Sequence, residues 1–260
     1  MAANGGVTIT VLGSGTSVGV PSIGCGCAVC QSADPRDNRL RPSVYLSFDG
    51  QGVLIDATPD FRAQALRARL KRIDAILLTH SHADHIMGLD DVRPFNYIQR
   101  VCIPVYGTEA SLAVVHRCFQ YVFEHSESES SRPKLETRVF TEQPFEVFGQ
   151  VFEPVRAFHG SGVVHGFRFG NAAYLTDHSE IPAESMEKLR GLDVLFLDAL
   201  RHRPHPTHST VEQSLRTIEL LAPQRTFFTH IGHDLGHEST ERNLPANVRL
   251  AYDGLQVVVE

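Results

Sequence analysis

Thr79-His80-Ser81-His82-Ala83-Asp84-His85 is the stretch on which the fold of this chain turns. Ahead of it, Arg72-Ile73-Asp74-Ala75-Ile76-Leu77-Leu78 reads as a buried strand. His80, His82, Asp84 and His85 therefore emerge from a rigid base into the loop beyond its end. Imidazole suits zinc, iron, nickel and manganese to differing degrees, and a carboxylate adds hardness and negative charge. In an extended segment His80 and His82 fall on one side, while a turn through Asp84 aims Asp84 and His85 at a second position. Gly88 then permits close backbone packing as the next segment turns helical. A lone histidine on a polar loop is ordinary surface; an ordered cluster at a strand end reads as a metal site.

Outward from this run, short β-rich segments dominate, among them Val7–Leu12, Val44–Phe48, Val53–Ile55, Ile103–Tyr106, Val151–Arg156, Phe167–Phe169, Ala172–Leu175, Val194–Leu197, Thr226–Phe228 and Leu255–Val259. Helical stretches lie between them. Phe61–Leu70 is one and Thr210–Leu221 another, the latter with Ser209 as predicted N-cap and Glu212 completing a capping box. The interleaving predicts layered α/β packing, and the lack of any repeat or linker predicts one domain over residues 1–260. Glu124 to Ser131, polar throughout, reads as a solvated surface connection, with a lid over the site as the alternative.

At 260 residues the chain can bury roughly three quarters of its surface in a core. No apolar run exceeds four residues, far below the ~20 that span a bilayer. Met1 to Gly6 lack the charged and apolar regions of a signal peptide, so the expected location is cytoplasmic, without membrane attachment. A net charge of -6 with three lysines argues against a nucleic-acid polymer as partner. A small anionic substrate remains compatible, because a metal centre supplies its own positive charge. Of the five cysteines, three crowd into Cys25-Gly26-Cys27-Ala28-Val29-Cys30. In a reducing compartment that pattern favours metal thiolates. Cys102 and Cys118, each alone in apolar surroundings, are predicted to be buried structural thiols.

The His80–His85 run is similar to the H-x-H-x-D-H signature of the metallo-β-lactamase superfamily. That family's pattern continues with a His, an Asp and a final His, each at a strand end. Here His159 follows Val151–Phe158, Asp177 follows Ala172–Leu175, and His230 follows Thr226–Phe228. Singly each is ambiguous, since a strand-terminal His or Asp often only caps or hydrogen-bonds. His165 and His178 compete for the place of His159, which is preferred because it ends its strand; His178 remains a candidate supporting group. The resemblance implies an α/β fold of the αββα sandwich type. It also implies one metal on His80, His82 and His159, a second on Asp84, His85 and His230, and Asp177 bridging both.

Cys25, Cys27 and Cys30 supply three thiolates, and a closed tetrahedral zinc site needs a fourth ligand. His233, three residues beyond His230, can provide it. This pairing, with Leu12-Gly13-Ser14-Gly15-Thr16-Ser17-Val18-Gly19-Val20-Pro21 and Ala251-Tyr252-Asp253-Gly254, resembles the phosphoribosyl cyclic phosphate phosphodiesterase group of the carbon-phosphorus lyase pathway. The resemblance implies a structural zinc on the cysteines and His233, active-site manganese, zinc or nickel, and a homodimer. Pyrroloquinoline-quinone biosynthesis proteins share the cysteine knot but have a degraded catalytic run. Arg39, Arg41 and Arg93 are candidates either for phosphate binding or for plain pairing with nearby Asp.

Two divalent ions about 4 Å apart lower the pKa of a shared water and clamp the attacking and departing oxygens. The expected reaction is hydrolysis of a small, cyclic phosphodiester by a metal-bridging hydroxide, with a thioesterase or lactonase as the alternative. A metal-bearing carrier without turnover is the non-enzymatic reading. His208, just before the second helix, matches a family position proposed to assist the leaving group; His202 and His205 read as solvated loop.

Overall fold

In Val194-Leu195-Phe196-Leu197, Val194 and Phe196 enter one apolar cluster while Leu195 and Leu197 enter another. Successive strand side chains point to opposite faces, so a strand covered on both sides needs an apolar residue at every position. The same alternation splits Val53 and Ile55 from Leu54. Three stacked apolar layers result, and three layers require four slabs of secondary structure.

The computed structural model describes residues 6–124 and 131–260. Apart from its two end residues, the Glu124–Ser131 connection lies outside them, and so does the lid alternative. The first sheet contains β1 (Val7–Gly13), β2 (Ser43–Phe48), β3 (Gln51–Ile55), β4 (Ala75–Leu77), β5 (Ile103–Gly107) and β6 (Leu135–Val139). The second contains β7 (Phe145–Val147), β8 (Gln150–His159), β9 (Gly162–Phe169), β10 (Ala172–Leu175), β11 (Val194–Asp198), β12 (Arg225–Thr229) and β13 (Val248–Leu250). The chain then returns to the first sheet as β14 (Gln256–Val259), so the strand orders are β14-β1-β2-β3-β4-β5-β6 and β13-β12-β11-β10-β9-β8-β7.

Facing residues such as Phe152, Phe167, Tyr174 and Phe196 fill the layer between the sheets. Each fully buried side chain of this size contributes about 1.5–3 kcal/mol over an exposed one. Outside the first sheet pack α1 (Phe61–Arg67), α2 (Ala83–Ile86), α3 (Arg93–Gln99), α4 (Glu109–Cys118) and α5 (Gln120–Phe123). Outside the second lie α6 (Ala183–Lys188), α7 (Val211–Leu221) and α8 (His237–Glu241). This is the expected αββα sandwich. β3 to β6 run parallel, as do β10 to β13. Ligands of open α/β sheets gather beyond the carboxyl ends of parallel strands, and here two such edges face each other.

Three local expectations are corrected. Helix α1 stops at Arg67 rather than Leu70, because Arg69 adopts a left-handed φ of 52°. The cap of α7 is Thr210 with Gln213, not Ser209 with Glu212. Ser209 is still bound through its backbone N–H to His178 O at 2.7 Å, which holds the chain extended for one more residue. Cys102 and Cys118 are exposed, not buried. Among the described residues, no helix is long and apolar enough to cross a membrane.

Candidate metal centre

Beyond β4 the chain stays extended through His82 (φ -64°, ψ 153°) and then coils into α2. That change of backbone divides the ligand run. His80 and His82 meet His159 from the end of β8, while Asp84 and His85, now helical, meet Asp177 and His230. Within each group the potential ligand atoms lie within 4.8 Å of one another. The tight exit from α2 depends on Gly88, where a Cβ would stand 2.0 Å from Thr58 O.

Asp177 is the hub. Its Oδ2 lies 3.4 Å from His85 Nε2, 3.3 Å from His230 Nε2 and 4.0 Å from His80 Nε2. Thr176 donates its hydroxyl proton to the other oxygen at 2.5 Å, which fixes the carboxylate. His85 Nε2 is also 3.2 Å from Asp84 Oδ2. Ligands bonded to one ion at about 2.0–2.2 Å stand roughly 3.0–3.5 Å apart, so the contacts of Asp177 with His85 and His230 and of His85 with Asp84 fit a shared cation. His80 Nε2, Asp84 Oδ2, His85 Nε2 and His230 Nε2 are buried and lack a hydrogen-bond partner among the described residues. Buried polar atoms are seldom left so, and these four, one in the first donor group and three in the second, fit a metal-binding role.

Sequence reasoning passed over Asp56. It is fully buried at the end of β3, accepts from Thr79 N and Thr79 Oγ1 at 2.8 Å each, and lies 2.7 Å from His85 Nδ1. A carboxylate here can only accept, so Nδ1 carries the proton and Nε2 of His85 is left as the free donor atom. His159 is set the same way, its Nδ1–H given to Thr207 O at 2.8 Å. The backbone is strained at three of these positions: Asp56, Asp177 and His230 have φ of 64°, 56° and 56°. Each left-handed non-glycine residue costs on the order of 1–3 kcal/mol, which the surrounding packing must offset.

The charges are tightly coupled. Burial opposes charge on His85, but the Asp177 and Asp56 carboxylates outweigh it and hold the imidazole well above its usual range. His230, buried but facing Asp177, is pushed up to about 9. Burial likewise opposes charge on Asp177, and the imidazoles of His230 and His85 override it to keep the carboxyl well below the carboxylate range. The second donor group therefore favours positive charge, as protons or as a metal that displaces them.

Asp198, also missed in the sequence, lies buried at the end of β11 and accepts from His208 Nδ1 at 2.8 Å and from His178 N at 3.0 Å. The His208 ring stacks on His230 at 4.5 Å and meets His159 edge-on at 4.6 Å. His178 is buried behind it and, burial dominating, sits at about 4. His165 lies away from the donor atoms, its Nε2 3.0 Å from Glu142. It lines a cavity of about 480 Å³ that opens beside His80, His82 and His159, with Ser111, Val114 and Val163 among its walls.

The cysteine loop closes on His233. Its Nδ1 lies 3.2 Å from Cys25 Sγ and 3.5 Å from both Cys27 Sγ and Cys30 Sγ. Tetrahedral zinc with bonds of about 2.3 Å to sulfur and 2.0–2.1 Å to nitrogen needs N···S separations of roughly 3.5 Å. Cys27, which accepts from the Cys30 backbone N–H, is lowered to about 6. Of the arginines, Arg41 pairs with Asp60 and Arg93 with Asp90, the plain alternative. Arg39 is neither at the surface nor in the site; it is buried against Asp37.

Donor groups of this kind, where two sheets bring their strand ends together, define a metal-dependent hydrolase of the αββα class. The chain belongs to the beta-lactamase superfamily, whose domain it matches over residues 51–231. It superposes on a structure described as a new diphosphatase from the PhnP family with a TM-score of 0.93 and 53% identity, covering 99% of this chain and 98% of that one. Zn(2+)-bound PqqB from Methylobacterium extorquens shares the fold at a TM-score of 0.77 and 20% identity, over 96% and 99% of the two chains. The chain is also 38% identical over 253 residues to an octanoyltransferase of Porphyromonas gingivalis, which is 96% of this chain and 51% of that protein. It thus spans about half the length of that curated relative.

Proposed function

We propose that the chain is a phosphodiesterase for a small, cyclic phosphate diester. In this reading His80, His82 and His159 hold one divalent ion, Asp84, His85 and His230 hold another, and Asp177 serves both. The observation that carries it is the meeting of these two donor groups, around one carboxylate, with the His208–Asp198 pair. Divalent ions bound there, whether manganese, zinc or nickel, supply positive charge and a reactive water at neutral pH. Asp198 holds the proton on His208 Nδ1, which leaves Nε2 to carry a second proton to the departing oxygen. No residue lining the neighbouring cavity bears a fixed charge, and its volume suits a small molecule. The net charge of -6 speaks for the same conclusion against a nucleic-acid polymer. A structural zinc on Cys25, Cys27, Cys30 and His233 completes the proposal. A thiolate zinc site of this kind suits a reducing, cytoplasmic setting.

The test is a parallel assay, with each ion in turn, of bis-p-nitrophenyl phosphate, a panel of cyclic phosphodiesters, an acyl thioester and a lactone. Turnover confined to the phosphodiesters is expected; thioester hydrolysis without any phosphodiester activity would sink the reading. His82→Ala should abolish turnover and lower metal content from roughly three ions per chain to two or fewer. Thioester hydrolysis stands second because of the match to half of a protein named octanoyltransferase.

A further inference from the structure

Arg39 is among the most deeply buried large side chains, at 1% exposure, and its bonds explain why a guanidinium is tolerated there. Nη1 donates to Gly232 O at 3.0 Å, and Nη2 donates to Leu235 O and to Asp37 Oδ1 at 2.7 Å each. Asp37 Oδ1 in turn accepts from His237 N at 2.8 Å. The two carbonyls bracket His233, and Gly232 is two residues from His230. The backbone is clamped at the same place, with Ile231 N bound to Ser14 O at 2.9 Å and Thr16 N to Ile231 O at 3.2 Å. Arg39 itself exchanges both of its backbone bonds with Val20, at the entry to the cysteine loop.

We propose that Arg39 is a positioning residue that sets His230 and His233 together, so that the catalytic ion on His230 and the ion on the cysteine cluster share one support. The proposal rests on the metal assignments made above. The guanidinium holds the backbone on both sides of His233, and its bond to Gly232 O falls two residues after His230. His80 and His82, beyond β4, and His159, at the end of β8, have no hydrogen bond to Arg39 or to His230–Leu235 among the described residues. Removing Arg39 therefore weakens two of three ions selectively. Outer partners of metal ligands typically matter 10–100-fold in affinity, which sets the expected scale.

The experiment titrates a chelator against fully loaded wild type, Arg39→Lys and Arg39→Met, reading ions per chain. Cobalt-loaded samples report the cysteine cluster separately through sulfur-to-cobalt charge transfer. Arg39→Met is expected to shed two ions at about 10–100-fold lower chelator while keeping the third, with Arg39→Lys in between. If Arg39→Met does not fold, Asp37→Asn, which removes the charged partner at nearly constant shape, should give the same selective loss to a smaller degree. Equal weakening of all three ions, loss of the cluster ion alone, or no change would each overturn the proposal. A wild type that binds ions at neither histidine group would overturn the metal assignments themselves, and the inference with them.

Discussion

Asp198 gives His208 a fixed tautomer, and that single hydrogen bond decides how the imidazole can act. A positioned general acid is worth roughly 10²–10⁴ in rate, but only where the leaving group is basic enough to need the proton. His208→Ala is therefore expected to slow hydrolysis of an alkyl phosphodiester by a factor in that range, to slow a p-nitrophenyl ester far less, and to leave metal content intact. Equal slowing of both would mean that His208 positions the phosphate instead. Asp56 acts on His85 in the same manner. Asp56→Asn keeps the shape but replaces one acceptor oxygen by a donor, so metal affinity should fall about 10–100-fold, measurable by chelator competition. Affinity unchanged within twofold would remove Asp56 from the supporting shell. Neither acid was legible in the sequence. Ile55-Asp56-Ala57 and Leu197-Asp198-Ala199 are ordinary strand ends, and what distinguishes them is a histidine 29 or 10 positions away. The histidines were legible because four potential ligands crowd into His80 to His85 beyond an apolar strand, and because His159 and His230 fall at later strand ends in the order the family pattern requires. The left-handed backbone at Asp177 and His230 left no mark in residue type, since neither is glycine.

Among elements, the cysteine loop is the one whose stability hangs on chemistry rather than on apolar burial. The loop of Cys25 to Cys30 contributes no buried side chain to the apolar clusters. Cys27→Ser is therefore expected to lower the melting temperature well below that of Cys102→Ser, because it opens a site whose metal contributes folding energy. Cys102 is exposed, so its replacement should shift the melt by less than about 0.5 kcal/mol in stability. Equal melts with zinc still bound would take Cys27 off the ligand list. The spacing of this loop could be read directly, and so could its partner His233. The exposure of Cys102 and Cys118 could not, because apolar neighbours in sequence say little about which face of a segment carries the thiol. The one-residue shift of the α7 cap has a similar origin: Ser209 and Thr210 are equally good caps locally, and only the bond from Ser209 N to His178 O, contributed by a distant turn, chooses between them.

At the scale of the molecule, the alternation of apolar residues specified layers, and the order of ligands along the chain specified which strand ends must meet. Pairing between distant strands was not written in any local pattern. The clearest instance is β14, which leaves the second sheet and lies antiparallel beside β1, with Val7 opposite Val259 and Thr8 opposite Val258. Strand neighbours stand about 4.8 Å apart, so the two ends of the described chain could be bridged by a linker of a few residues. Joining Glu260 to Gly6 and opening the chain between Arg190 and Gly191, in an exposed turn remote from the histidines, is expected to give a protein that melts within a few degrees of the parent and binds the same number of ions. A permuted chain that failed to fold would show that the connection between β10 and β11 cannot be broken. Topologically, the sandwich is a ring of segments in which the place of the first residue is a matter of where the ring happens to be cut.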